Sequence, residues 1–200
     1  FGGSVIGFSG DAITCWFDGP AKDQDLDTSS QTDVVATIRA TAAALAMQDA
    51  MGQFADLQIG GEQVSLMMKA SVATGPVRRF VVGDPEYTLL DVLAGRTLEN
   101  LANGEHQAHK GEIILDAVAA DVLGERAQIV QWRTDEHSSE RFAVVTGLHG
   151  NISQIENPWT VDELQRASDE SLKNWLLPSV YRLLRAGQGE FLAELRSASA

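Results

Sequence analysis

Two short runs rich in Val, Ile, Phe and Trp, residues 4–8 and 12–17, stand either side of Ser9-Gly10-Asp11. Turn residues between two β-rich runs predict a β-hairpin. A chain that opens this way has to be read as a sheet and whatever covers it.

The rest of the pattern fits that reading. Residues 18–32 are polar and contain Gly19-Pro20, Asp18, Asp23, Asp25, Asp27 and Ser29-Ser30, which is loop chemistry. From Thr32, the positions Val34, Val35, Ile38, Ala42, Leu45, Ala46, Ala50 and Phe54 recur at helical spacing in an Ala-rich stretch, predicting a helix over 32–54. Val64, Leu66, Met68, Ala70 and Val72 partly alternate up to Gly75-Pro76, and Phe80-Val81-Val82 follows, predicting a second hairpin of 64–74 with 78–83. Next come a strand over 88–94, a helix over 96–108, a strand over 112–115, a short helix over 118–123 stopped by Gly124, and a last strand over 127–132. Strands interleaved with helices in this order indicate an α+β fold: an antiparallel sheet covered by helices. Beyond Arg133 the character changes. Residues 134–141 read as a charged, Ser-containing link and Asn157-Pro158 punctuates another. Leu172, Trp175, Leu176, Val180, Leu183 and Leu184 then form two amphipathic stretches around Pro178, closed by Gly187. The expected organisation is a sheet domain over 1–132 and a helical connector over 133–200.

Composition narrows the function. With 15 Lys+Arg against 28 Asp+Glu the formal net charge is -13, so a nucleic-acid-coating role, which needs cations to neutralise phosphates, is excluded. The single Cys15 has no partner for an internal disulfide and no Cys/His set has zinc spacing, which points to a reducing, cytoplasmic setting. No apolar stretch approaches the roughly 20 residues that span a bilayer, and neither a signal peptide nor a membrane anchor is visible in this segment. The chain opens on Phe1, directly into Gly2-Gly3 and an apolar run, as though cut from something longer. Several conspicuous residues read as structural: Cys15 as a small buried hydrophobe, His106 and His109 as a solvated helix end, Asp84 before Pro85 as a turn, and Trp132, Trp159 and Trp175 as packing anchors. No nucleophile, base and orienter set supports hydrolase chemistry.

One series of short motifs is more specific. Gly2-Gly3-x-Val5-Ile6-x-Phe8-Ser9-Gly10-Asp11-Ala12, then Ala73-Thr74-Gly75-Pro76-Val77 leading to Val81-Val82-Gly83-Asp84, then Ala94-Gly95, then Gly111-Glu112-Ile113-Ile114-Leu115 occur in order over residues 1–132. This set resembles class III nucleotidyl cyclases, particularly the soluble adenylyl cyclase branch. The stretch from Leu177-Pro178 through Gly187-Gln188-Gly189-Glu190-Phe191-Leu192 resembles the connector leading into a second cyclase domain in that branch. The resemblance implies a ferredoxin-like cyclase homology domain that pairs with a second one. It also implies two divalent ions, Mg²⁺ or Mn²⁺, held on the phosphates of ATP by two carboxylates of one half. By the resemblance Asp11 is one of those carboxylates. An Asp on a tight turn after Gly projects its oxygens freely, and Mg²⁺ requires hard oxygen ligands. The other carboxylate would lie on a strand ahead of Phe1, so the domain is expected to be incomplete.

The sequence departs from the family pattern at four places. The Lys expected four residues before Asp11 is Gly7. The base reader expected three residues before Gly95 is Val92. The Asn and Arg expected four and eight residues after Gly95 are Glu99 and Asn103. A negative Glu99 beside a triphosphate repels it. A metal carboxylate kept while the nucleotide readers are lost resembles the first, metal-bearing half of a two-half adenylate cyclase forming cAMP and pyrophosphate. The alternative is a non-catalytic regulatory or dimerisation domain of a multidomain signalling protein.

Overall fold

The computed structural model describes residues 1–18, 29–150 and 173–187. The chain divides into two compact units, one formed by Phe1–Arg78 with Leu93–Glu156 and the other by Arg79–Val92 with Asn157–Ala200.

In the first unit, β1 (Ser4–Ser9) and β2 (Ala12–Trp16) pair antiparallel, as the turn residues predict. Helix α1 (Ser29–Met51) follows, beginning three residues earlier than the apolar period suggested. Its buried stripe is made of small residues, Thr37, Thr41, Ala42, Ala43 and Ala44. The two threonines donate their hydroxyls to carbonyls one turn back, Thr37 to Asp33 and Thr41 to Thr37, and so are satisfied within the helix. Strands β3 (Leu57–Ile59) and β4 (Glu62–Val64) pair as a small hairpin. Its turn is Gly60-Gly61, both left-handed, which is the requirement of a type I′ turn.

The main sheet holds four strands in the order β5 (Ala70–Val72), β8 (Ile113–Asp116), β10 (Arg141–Leu148), β9 (Ala127–Thr134). The β8–β10 and β10–β9 pairs are antiparallel and β5–β8 is parallel. Between these strands the chain forms α2 (Arg96–Gln107) and α3 (Ala117–Leu123). Gly124, left-handed, stops α3 by returning its N–H to the Ala120 carbonyl. Alternate residues of β8 face opposite ways: Ile113 and Leu115 join Ala44, Val72, Ala119, Ala120, Leu123, Ala143 and Val145, while Ile114 joins Ala108, Phe142 and Val144. The sheet is therefore buried on both faces, by α1 and α3 on one and by α2 on the other. The fold is α+β with a helix-covered, mostly antiparallel sheet, as expected.

Two expectations about the strands are corrected. The hairpin of 64–74 with 78–83 does not form, because β5 pairs with β8. The chain between β5 and the next strand is held by side chains instead of a cross-strand ladder: the Thr74 N–H donates to Asp116 and the Thr97 hydroxyl to the Pro76 carbonyl. The sheet also runs past residue 132. Residues 134–141 contain a hairpin loop, closed by an Asp135 N–H to Glu140 carbonyl bond, and β10 beyond it is an inner strand of the sheet. A continuous Phe142-Ala143-Val144-Val145 run is what a strand buried on both faces requires.

In the second unit, β6 (Arg78–Asp84) pairs with β7 (Thr88–Ala94) across a turn in which Asp84 accepts the N–H of Glu86 on its side chain and that of Tyr87 on its carbonyl. Arg79 grips the Asp91 carboxylate with two nitrogens. The Leu89 N–H donates to the Asn174 carbonyl, and α4 (Pro178–Arg185) starts at the proline and ends before Gly187. Residues 19–28 of the acidic loop, Asn157-Pro158, Trp159, Leu172 and the connector motif from Gln188 onward lie outside the described residues. Among the described residues no helix is long and apolar enough to cross a membrane.

Candidate functional site

The β1–β2 register pairs Ser9 with Ala12 and leaves Gly10-Asp11 as a two-residue turn. Gly10 has φ +62, the left-handed conformation that a type II′ turn places at its first central position and that glycine adopts without strain. This puts Asp11 at the tip of the hairpin. Its carboxylate is exposed and makes no hydrogen bond or ion pair among the described residues. Phe8, 77% exposed, and Ile13 flank it with apolar surface. Gly7 lies on the same hairpin opposite Thr14, next to a bulge after Val5. Among the described residues a Cβ at Gly7 would meet nothing within 4 Å, so no packing seen there demands a glycine.

Glu99 and Asn103 are brought together on α2, one turn apart. The helix enters through Gly95, φ +136, where the backbone passes close to the Pro76 carbonyl. Glu99 is exposed in the first turn. Asn103 is half-buried and donates through Nδ2 to Glu140 Oε2 at 3.4 Å, while Arg96 reaches Glu140 Oε1 at 3.5 Å. Val92 is on β7, in the other unit.

The sequence reading missed a buried polar cluster beneath α2. Asp116, 2% exposed, caps α3 by accepting the Ala119 N–H at 2.8 Å. It also accepts the Thr74 N–H and Asn100 Nδ2, both at 3.3 Å. Burial pushes its carboxyl above the usual range, against those hydrogen bonds, and Glu140 adds to the rise. An Asp immediately before the Ala-rich run at 117–120 is a helix N-cap signal and was legible. Its contacts with Thr74 and Asn100 were not, because they bridge distant segments.

A second missed feature is the Glu112–Arg133 pair, two parallel bonds of 2.6 and 2.7 Å that also collect the Gln107 carbonyl. The Arg133 guanidinium, helped by the His109 N–H, lowers the Glu112 carboxyl to about 2. His106 and His109 are exposed, as expected. Cys15 is half-buried, and burial raises its thiol. Trp132 is not the packing anchor expected: it is 39% exposed, with the Arg141 guanidinium 4.3 Å from its ring centroid.

A divalent ion needs more than this unit's described residues supply. No group of three His, Cys, Asp or Glu that could hold a metal occurs among them. Asp11 offers one hard, exposed carboxylate, which suits a single protein ligand of an ion held also by other carboxylates and by substrate phosphates.

No family model and no curated protein matches the chain by sequence. Solved structures do match it. The guanylyl cyclase Cya2 superposes with a TM-score of 0.57 at 22% identity, over 74% of this chain and 71% of that one. The guanylate cyclase domain of RhGC from Catenaria anguillulae, in complex with GTP, gives 0.50 at 18% identity over 74% of each chain. The adenylyl cyclase CyaB from P. aeruginosa gives 0.51 at 16% identity over 76% of each. The chain therefore carries the fold of nucleotide cyclase catalytic domains.

Proposed function

We propose that this chain is the metal-bearing half of a cytoplasmic two-half nucleotide cyclase, which forms cAMP and pyrophosphate from ATP at an interface with a second homology domain. The observation that carries the reading is the exposed carboxylate of Asp11, without a partner among the described residues, at the tip of a Gly-Asp hairpin within a cyclase fold. In this reading Asp11 is one ligand of Mg²⁺ or Mn²⁺, and the ions neutralise charge on the triphosphate and the leaving pyrophosphate. Gly7, Val92, Glu99 and Asn103 are the degenerate nucleotide-reading positions of this half, and the nucleotide readers come from the partner domain. ATP as substrate, and cAMP as product, rest on the resemblance to the soluble adenylyl cyclase branch.

A regulatory pseudo-domain is the second reading, favoured by α2. Its Asn103 is engaged with Glu140 and its Glu99 stands exposed, an acidic surface that repels a triphosphate. The test is cyclic nucleotide production by the full-length protein with ATP and Mg²⁺ or Mn²⁺. Asp11→Ala is expected to abolish turnover and leave thermal unfolding unchanged, since an exposed turn carboxylate contributes little to packing. Retained turnover in Asp11→Ala would transfer the assignment to the regulatory reading. The 200-residue chain alone is expected to make no cyclic nucleotide.

A further inference from the structure

Asp116 does more than cap a helix. Its Oδ1 takes the Ala119 N–H of α3 and the Thr74 N–H of the loop after β5, and its Oδ2 takes Asn100 Nδ2 of α2. The chain of bonds continues to α1. The Thr37 hydroxyl is used as a donor to the Asp33 carbonyl, so in the 2.8 Å contact between Thr37 and Thr74 hydroxyls the proton comes from Thr74. Thr74 thus donates twice, to Asp116 and to Thr37. One buried carboxylate thereby links α2, on one face of the sheet, through Thr74 to α1, on the other.

The geometry around Asn100 shows what this link decides. Asn100 Oδ1 is buried without a partner among the described residues, while its Nδ2 faces Asp116. A carboxylate can only accept, so it dictates which way the amide turns, even though the other end of the amide is left unsatisfied. Along the same helix face one turn later, Gly104 seats against Ser71 and Phe142 so closely that an added Cβ would lie 2.4 Å from Ser71 Oγ. Contact at Gly104 fixes the distance of α2 from the sheet. The Asn100–Asp116 bond is the buried one of the directional contacts along α2, standing between Glu99 and Asn103 in the chain, with the Thr97–Pro76 bond before it and the Asn103–Glu140 bond after it.

We propose that Asp116 is a positioning residue for α2, helping through Asn100 to set the placement of the helix segment that presents Glu99 and Asn103, separately from its role as the cap of α3. Its bearing on nucleotide chemistry rests on the function proposed above. The placement itself does not, and is read without activity.

The experiment is hydrogen exchange on the purified chain, comparing amide protection over residues 96–107 with that over 117–123. Asp116→Ser keeps a good helix cap but is too short to reach Asn100. It is expected to lower α2 protection about tenfold, the size of losing one hydrogen bond to a charged group, with α3 protection unchanged. Asn100→Ala removes the bond from the other side with a residue that favours helix, and is expected to give the same α2 loss. Combining the two substitutions is expected to add little to either. Asp116→Asn is the rescue: the Asn100 amide can turn its free Oδ1 toward the new amide nitrogen, so α2 protection is expected to stay near that of the parent chain. Unchanged α2 protection in both Asp116→Ser and Asn100→Ala overturns the proposal. So does equal loss in α2 and α3 on Asp116→Ser, or a loss in Asp116→Asn as large as in Asp116→Ser. A chain that passes this test yet gives no cyclase activity in the full-length protein would remove the proposed function and leave the role of Asp116 standing.

Discussion

On one face of the four-stranded sheet, Ile113, Leu115, Ala143 and Val145 meet alanines of α1 and α3, and the contact is almost wholly apolar. On the other, Ile114, Phe142 and Val144 pack with Ala108, the residue that closes α2, and Gly104 seats against Phe142, while polar bonds tie the helix down along its length. Asn100 is held by Asp116, Thr97 by the Pro76 carbonyl, and Gln107 by Asp135. The first face depends on area removed from water, which is non-directional. The second depends on directional bonds, so that small changes re-aim the helix where the same changes opposite would only loosen packing. The helix bearing the candidate positions Glu99 and Asn103 is the one whose orientation is set by hydrogen bonds.

The sharpest way to break this contrast is at Phe142, the largest fully buried side chain among the described residues. Phe142→Ala is expected to lower unfolding free energy by about 3–5 kcal/mol, the cost of a large core cavity. Chemical denaturation measures it. Leu115→Ala, on the opposite face, is expected to cost about 2–5 kcal/mol, and hydrogen exchange then separates the two. Below global unfolding, the Phe142 change should expose α2 amides and the Leu115 change those of α1 and α3. If both variants lose protection in the same helices, the faces do not behave as separate layers.

Gly104 offers a narrower test on the α2 face. A Cβ there would press on Ser71 Oγ and sit 3.3 Å from the Phe142 ring, so Gly104→Ala is expected to cost about 1–3 kcal/mol despite the better helix propensity of alanine. Ser71 Oγ is buried without a partner among the described residues, so Ser71→Ala alone should be neutral or mildly stabilising. In the double variant the clash with Oγ is gone, and the melting temperature should recover part of the loss. No recovery would mean that Phe142, not Ser71, sets the distance of the helix.

These two faces were unequally legible in the sequence. The apolar period of α1, the β-rich runs and the Gly124 stop follow from local rules, and the structure has the corresponding elements. Phe142-Ala143-Val144-Val145 carried an equally plain signal, a continuous apolar run, but the charged residues ahead of it made the region look like a link. Gly60-Gly61 between two short runs was a hairpin signal of the same kind. The polar ties of α2 were of another order. Glu112 and Arg133, or Asp116 and Asn100, are joined only because the sheet and helix bring them together, and no spacing encodes that. At the candidate site, the hairpin turn residues already placed Asp11 at a tip. That Asn103 is engaged by Glu140 depends on a strand whose existence was not read.

The α2 face also titrates. Glu112 is held at about 2 against an ordinary 4.5. For an acid with a depressed folded value, the stabilisation is complete above the ordinary value and is lost as pH falls from 4.5 toward about 2. Asp116 has the opposite sign. Its carboxyl is raised by burial, so its charging weakens the fold as pH rises past its ordinary 3.8. Denaturation at about pH 5 and about pH 3 should therefore show a loss on acidification that Glu112→Gln largely removes, while the variant costs about 1–2 kcal/mol at neutral pH after discounting for part exposure. An unchanged acid slope in Glu112→Gln would place the titrating group elsewhere.

The smallest effect is expected at Lys69, which stands just before β5 and reaches the last turn of α2. Its ammonium pairs with Glu105 Oε1 at 2.8 Å and donates to the Glu105 carbonyl at 2.9 Å. Lys69 is 35% exposed and Glu105 49%, so water competes for both charges, and holding two long side chains in one geometry costs rotamer entropy. Lys69→Met, which keeps the stem, is expected to cost no more than about 0.5 kcal/mol, and the difference should vanish in about 1 M salt, where the screening length is about 3 Å. The loss from Glu112→Gln should survive the same salt, because Arg133 is mostly shielded and grips the carboxylate through two short bonds. A larger, salt-resistant loss at Lys69 would show that α2 is held at its exposed end as firmly as at Asp116. The face would then be one continuous polar seam, and its orientation would no longer be set from the buried end.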